Sequence, residues 1–178
     1  MKALTIWQPW ASLIIEGAKP FEFRGWNVAH RFPKMIGQRI VIHAAARKID
    51  RQEIFALRRA LLEGGDPAAE TCLYPNLALP VLDRALKAYT ENEFGLVSLA
   101  GHGVLPWSAG LGTAVIGMPR LGTEVAEEFG VPRANDSDRD EHANWAWPML
   151  DIEKWDTPIP MKGAQGFWNW RGPESVGL

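Results

Sequence analysis

Cysteine is almost absent: Cys72 stands alone in 178 residues, which excludes an internal disulfide and any zinc site built on several thiolates. That usage suits a reducing compartment, and the expected location is the cytoplasm. A basic excess is missing as well. The formal charge is −2, from 19 Lys and Arg against 21 Asp and Glu, whereas a protein that wraps long nucleic acid displaces counterions with a surplus of cations. Any contact with nucleic acid must therefore rest on a local basic spot or on stacking. Long apolar runs are lacking too, since the longest fall far short of the ~20 residues that span a bilayer. The opening Met-Lys-Ala-Leu-Thr-Ile-Trp-Gln-Pro-Trp reaches Gln8 and Pro9 too early for the apolar centre of a signal peptide. The expectation is a soluble chain with no membrane partner.

Metal and cofactor signatures are equally scarce. His30, His102 and His142 have no partners at ligand spacing. Asp136, Asp138 and Asp140 alternate like the start of a calcium loop, but Glu141 stands where glycine is needed and Trp147 where the closing glutamate belongs. Gly110, Gly112 and Gly117 do not form a dinucleotide or phosphate-loop fingerprint and read as turns and close packing. No metal and no cofactor is implied.

What the chain does have is apolar and aromatic mass. The hydrophobic share is 47%, with Trp 9 and Phe 7, enough for the sizeable core of one domain spanning 1–178. Leu4 to Trp7 reads as a strand. Pro9 opens a helix that Gly17 closes, with Trp10, Leu13 and Ile14 as its buried stripe. Phe21 and Phe23 alternate with Glu22 and Arg24, so residues 20–26 read as a strand with one polar face. A turn at Gly37 leads to the strand Ile40-Val41-Ile42, ending at His43. Asp50 and Glu53 suit a capping box for a helix carrying Ile54, Leu57 and Leu61 and stopped by Gly64-Gly65. A second helix is expected from Val81 to Tyr89, after Pro80. Thr113 to Ile116 and Arg120 to Leu121 read as strands, residues 132–142 as a polar loop, and Trp145 to Trp155 and Phe167 to Trp170 as the last strands. This order predicts a small mixed β-barrel of the α/β (α+β) class with flanking helices, from which the helices in 51–104 form an insertion.

The densest chemistry lies in Gly17-Ala-Lys-Pro-Phe-Glu-Phe-Arg-Gly-Trp26. Alternation places Glu22, Arg24 and Trp26 on one face, with Lys19 at the entrance. Arginine offers a rigid fork of donors, lysine a point charge, glutamate an acceptor and tryptophan a stacking plate, a set able to read a polar, planar ligand. The plainer reading is a solvated strand face with a cross-paired Glu and Arg.

Residues 4–13, Leu-Thr-Ile-Trp-Gln-Pro-Trp-Ala-Ser-Leu, followed by Gly17-x-Lys19-x-x-Glu22-x-Arg24-x-Trp26, resemble the signature of ASCH domains. Ile42-His43-Ala44 resembles the strand that follows it in bacterial and phage members. The ending, Trp145-Ala146-Trp147 through Pro158-Ile159-Pro160 to Gly163-Ala-Gln-Gly-Phe-Trp168, is similar to theirs. The likeness covers roughly residues 1–50 and 105–171 and leaves 51–104 unaccounted for. It implies a PUA-like barrel, in a superfamily that largely binds RNA or modified bases. It also implies a polar cleft at Lys19, Glu22 and Arg24, with Gln8, Trp26 and His43 nearby.

Two functions follow as expectations. The first is a binding module for short single-stranded RNA or a modified nucleoside or nucleotide. Lys19 and Arg24 would meet phosphate or a base edge, Glu22 would accept from an amine, and Trp26 or Trp147 would form a cleft wall. The acidic balance limits the footprint to about 2–4 phosphate contacts, with a salt slope of roughly −0.7 for each. The second is a hydrolase: an amidohydrolase on acylated cytidine, or a ribonuclease, with Glu22 as general base and Lys19 and Arg24 as electrostatic stabilisers. Small amidohydrolases of the family use a threonine three residues after the lysine. Glu22 stands there, and a carboxylate cannot play the hydroxyl's part. His43, ending an aliphatic strand, reads either as a ligand contact or as a hydrogen-bonded core residue. Residues 51–104 could also dock a protein through Leu61, Leu62, Leu82 and Tyr89, or bury them against the barrel.

Overall fold

The computed structural model describes residues 1–63, 72–91, 104–131 and 144–172, the side chains of 89–91 excepted. The polar loop expected at 132–142, the histidines 102 and 142, the aspartates 136, 138 and 140 and the side chain of Tyr89 lie outside the described residues.

The elements run β1 (Lys2–Ile6), α1 (Trp10–Ile15), β2 (Phe21–Arg24), α2 (Val28–Arg31), a 3-10 turn (Pro33–Met35), β3 (Arg39–Ala44), α3 (Arg51–Glu63), α4 (Pro75–Glu91), β4 (Ala109–Ile116), β5 (Arg120–Leu121), α5 (Gly122–Phe129), β6 (Trp145–Pro160) and β7 (Phe167–Asn169). Hydrogen bonding orders the strands β2-β6-β4-β3-β1-β7, with β5 attached to β6. Only β1 and β3 are parallel; the other pairs are antiparallel.

The sheet curls into a half-barrel because β6 is long and bent. Its first residues pair with β2 and β5, and the remainder with β4. Along β4 the partner jumps from Ile159 opposite Gly110 to Lys154 opposite Gly112, and Asp151 takes a positive φ of 46°. Such bulges sharpen the local twist and redirect the strand. Gly112 is required at this crossing, since a Cβ there would sit 2.3 Å from the Glu153 carbonyl oxygen. Aromatic contacts then draw the two ends of the sheet together: the Phe167 ring on β7 lies 5.9 Å from Trp147 on β6 and 6.5 Å from Trp26 just beyond β2.

The inner core holds Leu4, Ile6, Ile14, Ile40, Ile42, Ile116, Trp147 and Met149. Strand β3 is buried along both faces, which explains its unbroken run of apolar residues. The opposite side of α1, at Leu13, packs against α3 and α4 through Ile54, Leu57, Val81 and Leu82. Leu82 is therefore core and Leu61 packs against it, while Leu62 is exposed. Each such apolar side chain contributes about 1.5–3 kcal/mol on burial. A third cluster, Phe23, Cys72, Val125, Ala126 and Ala146, fixes the back of β2.

Several elements differ from the sequence reading. Helix α4 starts at Pro75 and carries Pro80 inside it; proline suits a helix start, and the later one removes a single backbone donor without ending the helix. The capping box is half formed, because Asp50 accepts from the Gln52 amide while Glu53 turns to Arg47. Helix α5 is additional: Leu121 supplies no side-chain cap, so nothing in the sequence announces its start. No helix among the described residues is long and apolar enough to cross a membrane.

Candidate functional site

Gly17 ends α1 at φ 72°, a conformation glycine adopts without steric cost. The amides of Ala18 and Lys19 then both donate to the Leu13 carbonyl, at 2.8 and 3.0 Å. This reversal sends the Lys19 side chain back into the protein, where it is completely buried. Its Nζ donates to the Phe21 carbonyl at 2.6 Å and to Glu22 Oε2 at 3.0 Å, and lies 5.2 Å from the Phe23 ring centre. Glu22 Oε1 receives Arg24 Nη2 at 2.8 Å. Pairing of Glu22 with Trp147 and of Arg24 with Trp145 holds β2 against β6, so the backbone fixes where the carboxylate and guanidinium sit.

The result is a buried triad of two cations and one anion. The Lys19 side chain is 0% exposed, that of Glu22 5% and that of Arg24 32%, so the arginine is its outlet to solvent. Burial pushes the Glu22 carboxyl upward, but the charges and hydrogen bonds of Lys19 and Arg24 outweigh it and hold the group below its ordinary range. Glu22 is thus ionised at neutral pH. One polar atom is left over: Arg24 Nε is buried with no hydrogen-bond partner among the described residues. A buried N–H without an acceptor costs about 1–3 kcal/mol.

Of the other site residues named from sequence, Trp26 and Trp147 come together with this strand pair. Trp26 is half-buried, with Trp147 edge-on at 4.6 Å and the Arg31 guanidinium 5.1 Å from its ring centre. It lies past the end of β2 rather than in register with Glu22 and Arg24. Trp147 is fully buried and its indole N–H donates to the Trp26 carbonyl at 3.3 Å, so its ring belongs to the core. Gln8 is also buried. Its Oε1 accepts from the Ser12 amide at 3.2 Å and its Nε2 donates to Ser12 Oγ at 2.8 Å and the Pro106 carbonyl at 2.6 Å. It caps α1 and ties that helix to the start of β4.

His43 belongs to a separate network across β1, β3 and β7. Its Nε2 lies 2.8 Å from the Met161 carbonyl and its Nδ1 3.2 Å from Thr5 Oγ1, which in turn receives the Trp168 indole N–H at 3.0 Å. A carbonyl only accepts, so Nε2 carries the proton and Nδ1 accepts from the threonine. The Trp168 ring stands edge-on at 5.3 Å, and Gly163 leaves room for the imidazole, since a Cβ there would lie 2.4 Å from Cε1. Thr5, Met161 and Trp168 were not legible as His43's partners, because they come from three distant segments without a shared motif.

Burial lowers the His43 pKa below its usual 6.5, against a smaller upward pull from the Met161 carbonyl. The unfolded chain therefore takes up the proton first as pH falls, and stability declines from about pH 6.5 downward until the folded-state value is passed. Replacing His43 with Gln, which keeps a donor for Met161, is expected to flatten that part of the curve. Urea unfolding of both proteins at stepped pH checks it; an unchanged slope below pH 6.5 would mean another group carries the proton uptake.

Among the described residues no group of three or more His, Cys, Asp or Glu gathers as around a metal ion. No protein-family model matches the chain, and no curated protein matches it.

Proposed function

We propose that the chain is a single ASCH-type, PUA-like domain with 51–104 as its insertion, and that it binds a nucleotide or a short stretch of single-stranded RNA at Arg24. The motif of residues 4–26 and the curled sheet support the family reading. The observation that carries the binding reading is the Lys19–Glu22–Arg24 triad with Arg24 as its partly exposed end, since Glu22 engages Nη2 and leaves other guanidinium donors over. In this arrangement Lys19 does not touch the ligand. It neutralises and orients Glu22, which aims the guanidinium. Arg24 has donors beyond the one engaged by Glu22, and a guanidinium suits a phosphate or a base carbonyl because its donors lie in one plane. Trp26, half-buried beside the strand, is the indole available for a ligand; Trp147 stiffens it from behind.

The same electrostatics favour binding over hydrolysis. A carboxylate held down by two cations takes a proton from water poorly at neutral pH, so Glu22 suits an orienting role better than that of a general base.

Arg24→Ala is expected to weaken binding of cytidine monophosphate and of a short oligouridine at least about tenfold, the loss of a charge-assisted hydrogen-bonded contact. Some melting temperature should be lost too, because Glu22 Oε1 is left buried without its partner, so binding is read below the variant's unfolding transition. Arg24→Lys should fall between. Glu22→Gln should weaken binding as well, and no turnover of acylated cytidine or short RNA should be found. Undiminished affinity in Arg24→Ala would remove the site. Retained binding in Glu22→Gln with turnover abolished would establish the hydrolase instead.

A further inference from the structure

A second surface gathers at the opposite end of α1. Strands β1 and β3 run parallel and β4 runs against them, so Ile6, Ala44 and Ala109 lie side by side and the chain leaves or enters the sheet at one rim. Three backbone hydrogen bonds knit it: Ala45 N–H to the Ile6 carbonyl at 2.8 Å, Ser108 N–H to that of Ala45 at 3.2 Å, and Met161 N–H to that of Ser108 at 2.8 Å. Trp7, Trp107 and Lys162 adjoin these anchors, and Arg47 and Lys48 follow two and three residues after Ala45. The rim thus brings two indoles and three cations together from four segments, in a chain whose overall charge is −2.

The two indoles are placed rather than loose. Buried Gln8 bonds the Pro106 carbonyl at 2.6 Å, which ties the residue after Trp7 to the residue before Trp107. The Arg47 guanidinium lies 4.9 Å from the centre of the Trp7 ring and is held there by a two-pronged pair with Glu53, at 3.0 and 2.5 Å. Lys48 Nζ lies 5.5 Å from the centre of the Trp107 ring. Even under Arg47, Trp7 is 59% exposed, the most exposed tryptophan among the described residues. Lys162, beside Met161, is exposed too.

We infer that this rim is a stacking platform for single-stranded nucleic acid, with bases on the open faces of Trp7 and Trp107, phosphates at Lys48 and Lys162, and Arg47, paired with Glu53, holding the Trp7 ring in place. Indoles interleaved with cations meet both repeating parts of a single strand, the flat base and the charged linkage, and need no particular sequence. A duplex hides its base faces and is a poor fit. The inference extends the reading of the Arg24 site by adding a second place for a strand, but it rests on different residues.

The test is binding of a short labelled oligouridine by fluorescence anisotropy at low salt, beside a titration with cytidine monophosphate. Trp7→Ala should weaken oligouridine binding at least about fivefold, Trp7→Phe should keep most of it, and Lys48→Ala should reduce the salt slope by about 0.7. Cytidine monophosphate binding should be unchanged in Trp7→Ala and lost in Arg24→Ala, which separates failure of the rim from failure of the triad. Oligouridine binding by Trp7→Ala equal to wild type overturns the platform. So does absence of oligouridine binding by the wild type, an outcome that would leave the rim to a protein partner.

Discussion

Replacing Lys19 with methionine is expected to destabilise the protein by about 3–5 kcal/mol at neutral pH, because it leaves Glu22 buried without the cation beneath it. For a chain of this length that corresponds to a melting temperature lower by roughly 6–20 °C. The double variant Lys19→Met, Glu22→Leu should recover most of the loss: it removes both buried charges and leaves Arg24, whose side chain is 32% exposed, to water. The pH dependence should weaken in the single variant. In the wild type the Glu22 pKa is depressed, so the contribution of the pair is present above pH 4.5 and declines as pH falls through the folded-state value. Without Lys19 only Arg24 opposes the burial, so the Glu22 pKa should rise relative to wild type and less stability should be lost on acidification. Urea denaturation of the three proteins between acid and neutral pH reads both effects. Equal stability of the single and double variants would show that Lys19 and Glu22 are not coupled.

The second large effect concerns Trp147. Its ring is fully buried against Trp26 at 4.6 Å and Phe167 at 5.9 Å, where β2, β6 and β7 meet. Trp147→Ala is expected to cost about 3–5 kcal/mol through lost burial and the cavity left behind. Trp147→Phe should cost much less, losing part of the ring and the hydrogen bond to the Trp26 carbonyl. In Trp147→Phe, nucleotide affinity should stay within about twofold of wild type, since the ring supports Trp26 and does not face the ligand; a larger loss, on the order of 1 kcal/mol or more, would mean that Trp147 meets the ligand itself. Thermal denaturation combined with a cytidine monophosphate titration of this folded variant separates the two roles.

These residues also show where sequence sufficed. The front of the chain was legible because its signals are local: alternation of residue types in β2, the stripe of Trp10, Leu13 and Ile14, and the left-handed exit at Gly17. Lys19, Glu22 and Arg24 could be grouped for the same reason. Their burial order could not, because it depends on the reversal after α1 that turns Lys19 inward and on what β6 lays across β2. Trp147 was harder still. Strand β6 is 16 residues long, and its bulges decide which side chains face inward. Periodicity across such a shift does not hold one phase. His43 had both readings open from sequence, and only the meeting of Thr5, Met161 and Trp168 around its ring gives it a closed set of partners. Gln8, read as a member of the cleft, is a clamp between α1 and the Pro106 segment. The platform could not be grouped from sequence, because Trp7, Arg47, Lys48 and Trp107 meet only through the parallel pairing of β1 with β3 and the return of β4 beside them.

At the centre of the account is Arg24, held by a buried glutamate that a buried lysine in turn holds. The most direct measurement is the Arg24 Nε–H resonance, assigned by its loss in Arg24→Lys and followed by NMR as cytidine monophosphate is added. The account predicts a progressive shift that saturates with the binding curve, as an acceptor at the exposed Nη groups changes the guanidinium around this buried donor. A resonance that stays in place while the nucleotide binds would contradict it.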